Sequence, residues 1–241
     1  MIVRDDGDTL VLITQPDHAR LAGEIAAAMR SEASLLGPAR ETILLAAREH
    51  DNGWIEVDAA PGVDPHTGRP YDFVTGPARR LKHDLWLRGI ARVARMNPRA
   101  GALVAEHALT VYGYRAREAH WHAFFVSITA LRDDLLRRLG IDQGDGREAF
   151  QRDYRCVQLT DAFSLQFCHG WTDVQETLGY RAACRGATLV ITPDPCAGGT
   201  VPLRVVARRI PARRYADDGD LQAALARAAP EILAGEVRGM M

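Results

Sequence analysis

Apolar residues recur at helical spacing along most of the chain and predict six helices between positions 15 and 170. The first has Leu21, Ala22 and Ile25 on one face and Pro16 in its first turn. The second begins near residue 38 and ends at the pair His50-Asp51. The other four cover residues 79–95, 98–114, 117–139 and 147–170. Residues 53–77 lose this periodicity and are rich in Pro, Gly and Asp, which predicts a long loop.

Strand-like patterns lie near both ends of the chain. Residues 2–4 and 9–14 flank a turn sequence and predict a hairpin, and residues 187–192 and 201–207 predict two further strands. A last helix is predicted over residues 218–237, with a kink at Pro230. Because an isolated hairpin is only marginally stable in water, we expect the terminal strands to pair into one small sheet.

These elements together predict a mainly α-helical fold in a single domain, residues 1–241. The helical bundle is expected over residues 15–170. A β-containing appendage over residues 180–241 is expected to pack with the amino-terminal hairpin. A chain of 241 residues is long enough to bury one sizeable core.

The overall charge gives no reason to expect a polyanionic partner. The formal net charge is −1, so neither a nucleic acid polymer nor a membrane surface is expected to bind. The sequence shows no basic leader followed by an apolar run, and no apolar stretch of about 20 residues, so a cytoplasmic location is expected. The four cysteines lack CxxC spacing and are expected to be reduced, buried residues. The oligomeric state stays open.

Candidate metal ligands occur on four of the predicted helices. His50 and Asp51 are adjacent at a helix end, where they can offer one ion a nitrogen and an oxygen. His18, His107 and Asp161 each lie on the apolar face of a separate predicted helix. A carboxylate buried without a partner costs several kcal/mol, and a bound cation removes that cost. The mixed nitrogen and oxygen ligands predict a divalent transition metal, which can be manganese, iron, zinc, cobalt or nickel, as one ion or two.

These motifs resemble those of the HD-domain superfamily of metal-dependent phosphohydrolases. That superfamily has a His on an early helix, a His-Asp pair at the end of a following helix and an Asp on a late helix. His18, the pair His50-Asp51 and Asp161 match those positions. The resemblance implies a helical bundle in which these four residues bind the first metal ion. In members with two metals further histidines lie between the pair and the last Asp, where His107 and His83 are found.

The activity that the resemblance implies is hydrolysis of a phosphoester in a nucleotide or another small metabolite, by metal-bound hydroxide. Trp54 departs from the superfamily, because many members have a basic residue there. The chain also resembles an uncharacterised bacterial family that shares the Gln-Pro-Asp-His opening, the His-Asp-Asn-Gly-Trp segment and a Pro-rich loop. This second resemblance implies no activity.

Three residues are candidates for binding the phosphorylated small-molecule substrate. Trp54 follows the His-Asp pair and is expected at the pocket mouth, while Trp86 and Tyr114 are interpreted as core residues. Arg69 and Arg88 can bind a phosphate through the planar guanidinium. Two other hypotheses keep the same ligands. One is a di-iron oxygenase of the same helical fold, and the other is a non-catalytic module that binds a metal or ligand.

Overall fold

Helices make up most of the chain in the computed structural model, which describes residues 1–76 and 79–240, the side chains of residues 79 and 80 excepted. Within those residues, Thr14 caps the first helix by accepting a hydrogen bond from the backbone N–H of Asp17. The helices are α1 Gln15–Ala28, α2 Arg40–Glu49, α3 Ile55–Asp58, α4 Arg79–Met96, α5 Pro98–Val111, α6 His122–Arg138, α7 Gly144–His169 and α8 Asp218–Arg227.

A mixed sheet of seven strands forms the other layer and curls into a half-barrel. The strands are β1 Ile2–Asp6, β2 Thr9–Ile13, β3 Gln175–Thr177, β4 Tyr180–Arg185, β5 Thr188–Thr192, β6 Thr200–Pro211 and β7 Pro230–Gly239. Their order is β1-β2-β6-β7-β5-β4-β3, and every neighbouring pair is antiparallel except β5 and β7, which run parallel.

The predicted mainly α-helical bundle is therefore wrong. The chain is 53% helical and 20% strand, which makes the fold α+β with a large sheet. The main reason lies in the predicted helix over residues 218–237, because α8 ends at Arg227 and Pro230 begins β7 instead of kinking a helix. Strands β3 and β4 also lie outside the predicted strands. A run of three apolar residues, such as 232–234, does not distinguish a helix from a strand by periodicity.

The core lies between the sheet and the helices. Helix α1 packs against α2, α7 and β6, and one continuous cluster of buried apolar side chains joins the helices to the inner face of the sheet. Strand β2 is buried on both faces, because Val11 and Ile13 join this cluster while Leu10 and Leu12 pack with Leu221 of α8. Of the described helices, none combines the length and the apolar character that a membrane span requires.

Two glycines allow the chain after α2 to lie directly on α4. A Cβ atom added at Gly53 would overlap the backbone carbonyl oxygen of Leu85, and one added at Gly89 would lie 3.0 Å from the backbone nitrogen of Gly53. The side-chain amide of Asn52 stabilises this contact by donating hydrogen bonds to the carbonyl oxygens of Glu49 (2.7 Å) and Gly89 (3.3 Å). The Asn-Gly that follows the His-Asp pair thus fixes where helix α2 ends relative to α4.

Candidate metal centre

Five ionisable side chains from four parts of the fold meet in the interior. They are His18 from α1, His50 and Asp51 from the end of α2, His107 from α5 and Asp161 from α7. Two overlapping groups of three have ligand atoms within 4.8 Å of one another: His18, His50 and Asp51 form one, and His50, His107 and Asp161 form the other. We call these five residues the metal cluster.

Within each group, the nitrogen and oxygen atoms of the metal cluster lie close enough together to bind one ion. Nε2 of His18 lies 2.9 Å from Oδ2 of Asp51, and Nε2 of His50 lies 3.2 Å from Oδ1 of Asp161. The two Nε2 atoms of His18 and His50 are 3.2 Å apart. Nε2 of His107 is farther, 3.8 Å from Oδ2 of Asp161. The rings of His18 and His50 are fully buried, so bulk water does not reach them.

Hydrogen bonds outside the cluster orient the two closest imidazoles. Ser164 donates its hydroxyl hydrogen to the carbonyl oxygen of Asp161 (2.9 Å), so its Oγ accepts the bond from Nδ1–H of His18 (2.8 Å). Nδ1–H of His50 donates to the carbonyl oxygen of Ala47 (2.8 Å). In the neutral rings both Nε2 atoms are then unprotonated, and their lone pairs face the cluster.

The charges in the cluster are strongly coupled. Burial favours the neutral ring of His50, but Asp51 and Asp161 outweigh it and raise the pKa of His50 well above its usual value. Burial also opposes the ionisation of both acids, yet His50 and its neighbours hold the pKa values of Asp51 and Asp161 below their usual range. A proton thus occupies the cluster when no other cation does. Burial lowers the pKa of His107 to about 4, so this ring is neutral at physiological pH.

This arrangement fits a metal ion. Two imidazole lone pairs 3.2 Å apart repel each other unless a proton or a cation lies between them, and two carboxylates add negative charge to the same space. Imidazole and carboxylate together suit a divalent transition metal. The four cysteines are free and do not belong to the cluster. The protein therefore has buried His and Asp groups that could hold a metal ion.

A small pocket lies against one side of the metal cluster. Its volume is about 170 Å³, and Asp51, His107 and Asp161 line its inner end. Trp54, which the sequence places at the pocket mouth, lines the wall and is only 2% exposed. The loop that follows α3 contributes residues 73 and 74 to the lining. Position 77, the last of the predicted loop, lies outside the described residues.

Three other predicted residues lie away from the cluster and the pocket. Nε2 of His83 is 2.7 Å from Oγ of Ser127, and His83 belongs to neither group of candidate ligands. Arg69 pairs with Asp5 at 2.6 Å, and Arg88 pairs with Glu56 at 2.7 Å, both at the surface. None of the three lines the pocket. Binding of substrate by either arginine stays a prediction.

Several residues at the site were not expected from the sequence. Gln15 and Ser164 are each three positions from a cluster residue on the same helix, so helical spacing could have found them. Trp86 and Tyr114, interpreted as core residues, line the pocket. Lys82, the chain's single lysine, lies outside the pocket lining but is buried beside the ring of Tyr112, and burial lowers its pKa to about 8.

Residues 1–211 match the model of a protein family described as "Protein of unknown function (DUF3891)". The chain belongs to this family. The matched region contains the whole metal cluster and six of the seven strands. No curated protein and no solved structure matches the chain.

The DUF3891 match corrects the first resemblance. The match agrees with the likeness to an uncharacterised family, and nothing supports membership of the HD-domain superfamily. That resemblance depends on three short segments, and the large sheet conflicts with an all-α fold. The resemblance to that superfamily is therefore limited to a local arrangement of histidines and acidic residues.

Replacing Ser164 with alanine is expected to weaken metal binding about 10- to 100-fold, because outer hydrogen bonds that orient a histidine ligand contribute that much. Titration of the metal-free protein with Mn²⁺ or Zn²⁺ measures the change. Ser127→Ala is the matched control, since it removes the same kind of serine from His83, outside the metal cluster. Equal affinity in Ser164→Ala and the parent protein would show that this hydroxyl does not orient His18.

Proposed function

We propose that this protein is a metal-dependent hydrolase that cleaves a phosphoester in a small metabolite. The proposal is carried by one observation, the meeting of three imidazoles and two carboxylates whose closest nitrogens have their lone pairs turned inward. Structural sites tend to be closed, whereas a pocket adjoins this cluster and gives a substrate access to it.

The residues divide between two adjacent ion positions. His18, His50, Asp51 and Asp161 are the ligands proposed for the first divalent ion, which can be manganese, iron, zinc, cobalt or nickel. His107 lies with His50 and Asp161 in the second group, so it would hold a second ion or contact the leaving group. When bound, such an ion lowers the pKa of water, so that hydroxide is available at neutral pH.

The chain's own residues would orient the substrate and keep solvent out. His107 is neutral at physiological pH, because its pKa is about 4, so it acts as a ligand or a hydrogen-bond acceptor and not as an acid. Burial raises the pKa of Tyr112, so its hydroxyl stays protonated and can donate a hydrogen bond to an oxygen of the substrate. Trp54 and Trp86, 2% and 3% exposed, exclude water from the same wall.

The experiment that tests the proposal combines metal analysis with a panel of phosphoesters, assayed with added Mn²⁺, Fe²⁺ or Zn²⁺. Asp161→Asn is the variant of choice, because it keeps the shape of the side chain and removes the charge next to His50. We expect it to lose metal and at least about a hundredfold in turnover. If Asp161→Asn kept the metal content and turnover of the parent protein, Asp161 would not be a ligand of the proposed site. Metal without turnover of any ester would favour a non-catalytic binding module.

A di-iron oxygenase is the second candidate, and the apolar character of the pocket favours it. Five of the residues that line the pocket are aromatic, which suits an uncharged carbon substrate beside two iron ions. The two activities separate in one assay. Oxygen consumption with Fe²⁺, lost under anaerobic conditions, would indicate oxidation. Ester cleavage at the same rate with and without oxygen would indicate hydrolysis.

A further inference from the structure

We infer that the pocket beside the metal cluster binds a phosphoester whose leaving group is a single flat aromatic ring, with the indole N–H groups of Trp54 and Trp86 donating to the oxygens of the substrate. This inference rests on the proposed hydrolase function and narrows its substrate. It excludes nucleotides, which the sequence had left open.

The walls of the pocket are aromatic. Trp54, Phe73, Trp86, Tyr112 and Tyr114 line it and come from four segments of the chain. Three of these rings are almost fully buried, and the rings of Trp86 and Tyr112 meet edge to face, with centroids 6.3 Å apart. Aromatic rings prefer edge-to-face or offset stacked contacts with other rings. A flat aromatic group is therefore the substrate portion that fits this wall best.

The wall also contains buried polar atoms that lack a full hydrogen bond. Nε1 of Trp54 and Oε1 of Gln15 are buried and have no hydrogen-bond partner, and Nε1 of Trp86 is buried with no acceptor at full bonding distance, although the hydroxyl of Tyr112 lies close enough to interact with it. An indole nitrogen can only donate, and a buried donor without a partner is costly enough to require an explanation. All three residues line the same pocket. A ligand that brings oxygens to the two donors, and a hydroxyl or amine to Gln15, would supply the missing partners.

The pocket is small. It measures about 170 Å³, whereas pockets for drug-sized ligands measure roughly 300–1,000 Å³. A cavity of about 150 Å³ is large enough to bind benzene. One ring, with the phosphoryl group at the metal cluster, therefore fills this volume, and a ribose would have to lie beyond it. Among the described side chains, the lining includes no Lys or Arg that would bind further phosphates.

Phosphonates test this inference without depending on turnover, because their carbon–phosphorus bond is not an ester and should not be cleaved. We would titrate phenylphosphonate, methylphosphonate and AMP into the metal-loaded protein by calorimetry. Phenylphosphonate is expected to bind at least about tenfold more tightly than methylphosphonate, by the burial of one ring. AMP is expected not to bind. Equal affinity for the phenyl and methyl compounds, tight binding of AMP, or no binding of phenylphosphonate would overturn the inference.

The indole donors are tested by Trp86→Phe, which keeps a ring and removes the N–H. Phenylphosphonate affinity is expected to fall about tenfold, as for the loss of one hydrogen bond to a charged group. Trp54→Phe is the second variant if Trp86→Phe proves unstable, and metal content and melting temperature are measured for both. Trp171→Phe is the matched control, because Trp171 is 41% exposed and lies outside the pocket. Unchanged affinity in both pocket variants would refute the role of the donors.

Failure of the proposed function gives a different result. If the protein bound phenylphosphonate but did not cleave phenyl phosphate, the assignment of the pocket would hold and the proposed hydrolase activity would be refuted. If the protein cleaved alkyl and aryl phosphates at equal rates, the hydrolase activity would be supported and the preference for an aromatic leaving group would be refuted.

Discussion

Replacing His50 with alanine is expected to abolish metal binding and, with it, turnover. His50 belongs to both groups of candidate ligands, so its loss leaves neither group complete. Its Nε2 lies 3.2 Å from both His18 and Asp161. We expect less than about a tenth of the metal content of the parent protein and a loss of turnover beyond the roughly hundredfold that an outer hydrogen bond contributes. Metal analysis of the purified protein and the ester assay measure the two effects.

The control for this variant is His83→Ala. His83 is a histidine outside the metal cluster: its Nε2 lies 2.7 Å from Oγ of Ser127, and it belongs to neither group of ligands. Its replacement is expected to leave metal content unchanged. If His50→Ala kept its metal while folding normally, the metal cluster would not be the binding site, and the function proposed from it would fail as well.

Removal of the metal is expected to lower the melting temperature substantially. An ion that binds only the folded state, at about a thousand times its Kd, stabilises that state by about 4 kcal/mol. In a domain of this size one kcal/mol moves the melting temperature by roughly 2–4 °C, so chelation should lower it by roughly 8–16 °C. The reason is structural, since the five candidate ligands come from α1, α2, α5 and α7 and an ion would cross-link these helices.

Thermal unfolding with and without a chelator, followed by titration of Mn²⁺ or Zn²⁺, measures this stabilisation. His50→Ala should show the same melting temperature with and without metal. The stabilisation should also shrink as the pH falls, because the neighbouring carboxylates raise the pKa of His50 and protons then compete with the ion for its Nε2. A melting temperature that did not respond to metal at any pH would contradict a bound ion.

The helical half of the molecule follows from local patterns. A histidine on the apolar face of a helix has to point into the core, so His18 and His107 were expected to approach the other inward-facing groups. Helical spacing was sufficient because α1, α5 and α7 bury their apolar faces against one another or against α2. Helical spacing thus indicated that His18, His107 and Asp161 approach the His50-Asp51 pair, and binding of a metal by them stays a prediction.

The sheet and the pocket depend on contacts between distant parts of the chain. β7 lies between β6 and β5, and nothing near Pro230 in the sequence indicates two such partners. In the same way, the sequence does not show that the buried indole nitrogen of Trp86 belongs to a pocket wall. In the sequence, an aromatic residue at helical spacing is indistinguishable from an ordinary core residue.

The pairing of β2 with β6 has a consequence for the order of assembly during translation. Thr9 lies opposite Pro211, so β2 emerges from the ribosome about two hundred residues before its partner. All five candidate ligands precede residue 170. A nascent chain therefore has every ligand while the hairpin still presents an open, aggregation-prone edge, and α1 gains its support from β6 only late in synthesis. Stable binding of an ion is consequently expected only after β6 has paired with β2 and packed against α1.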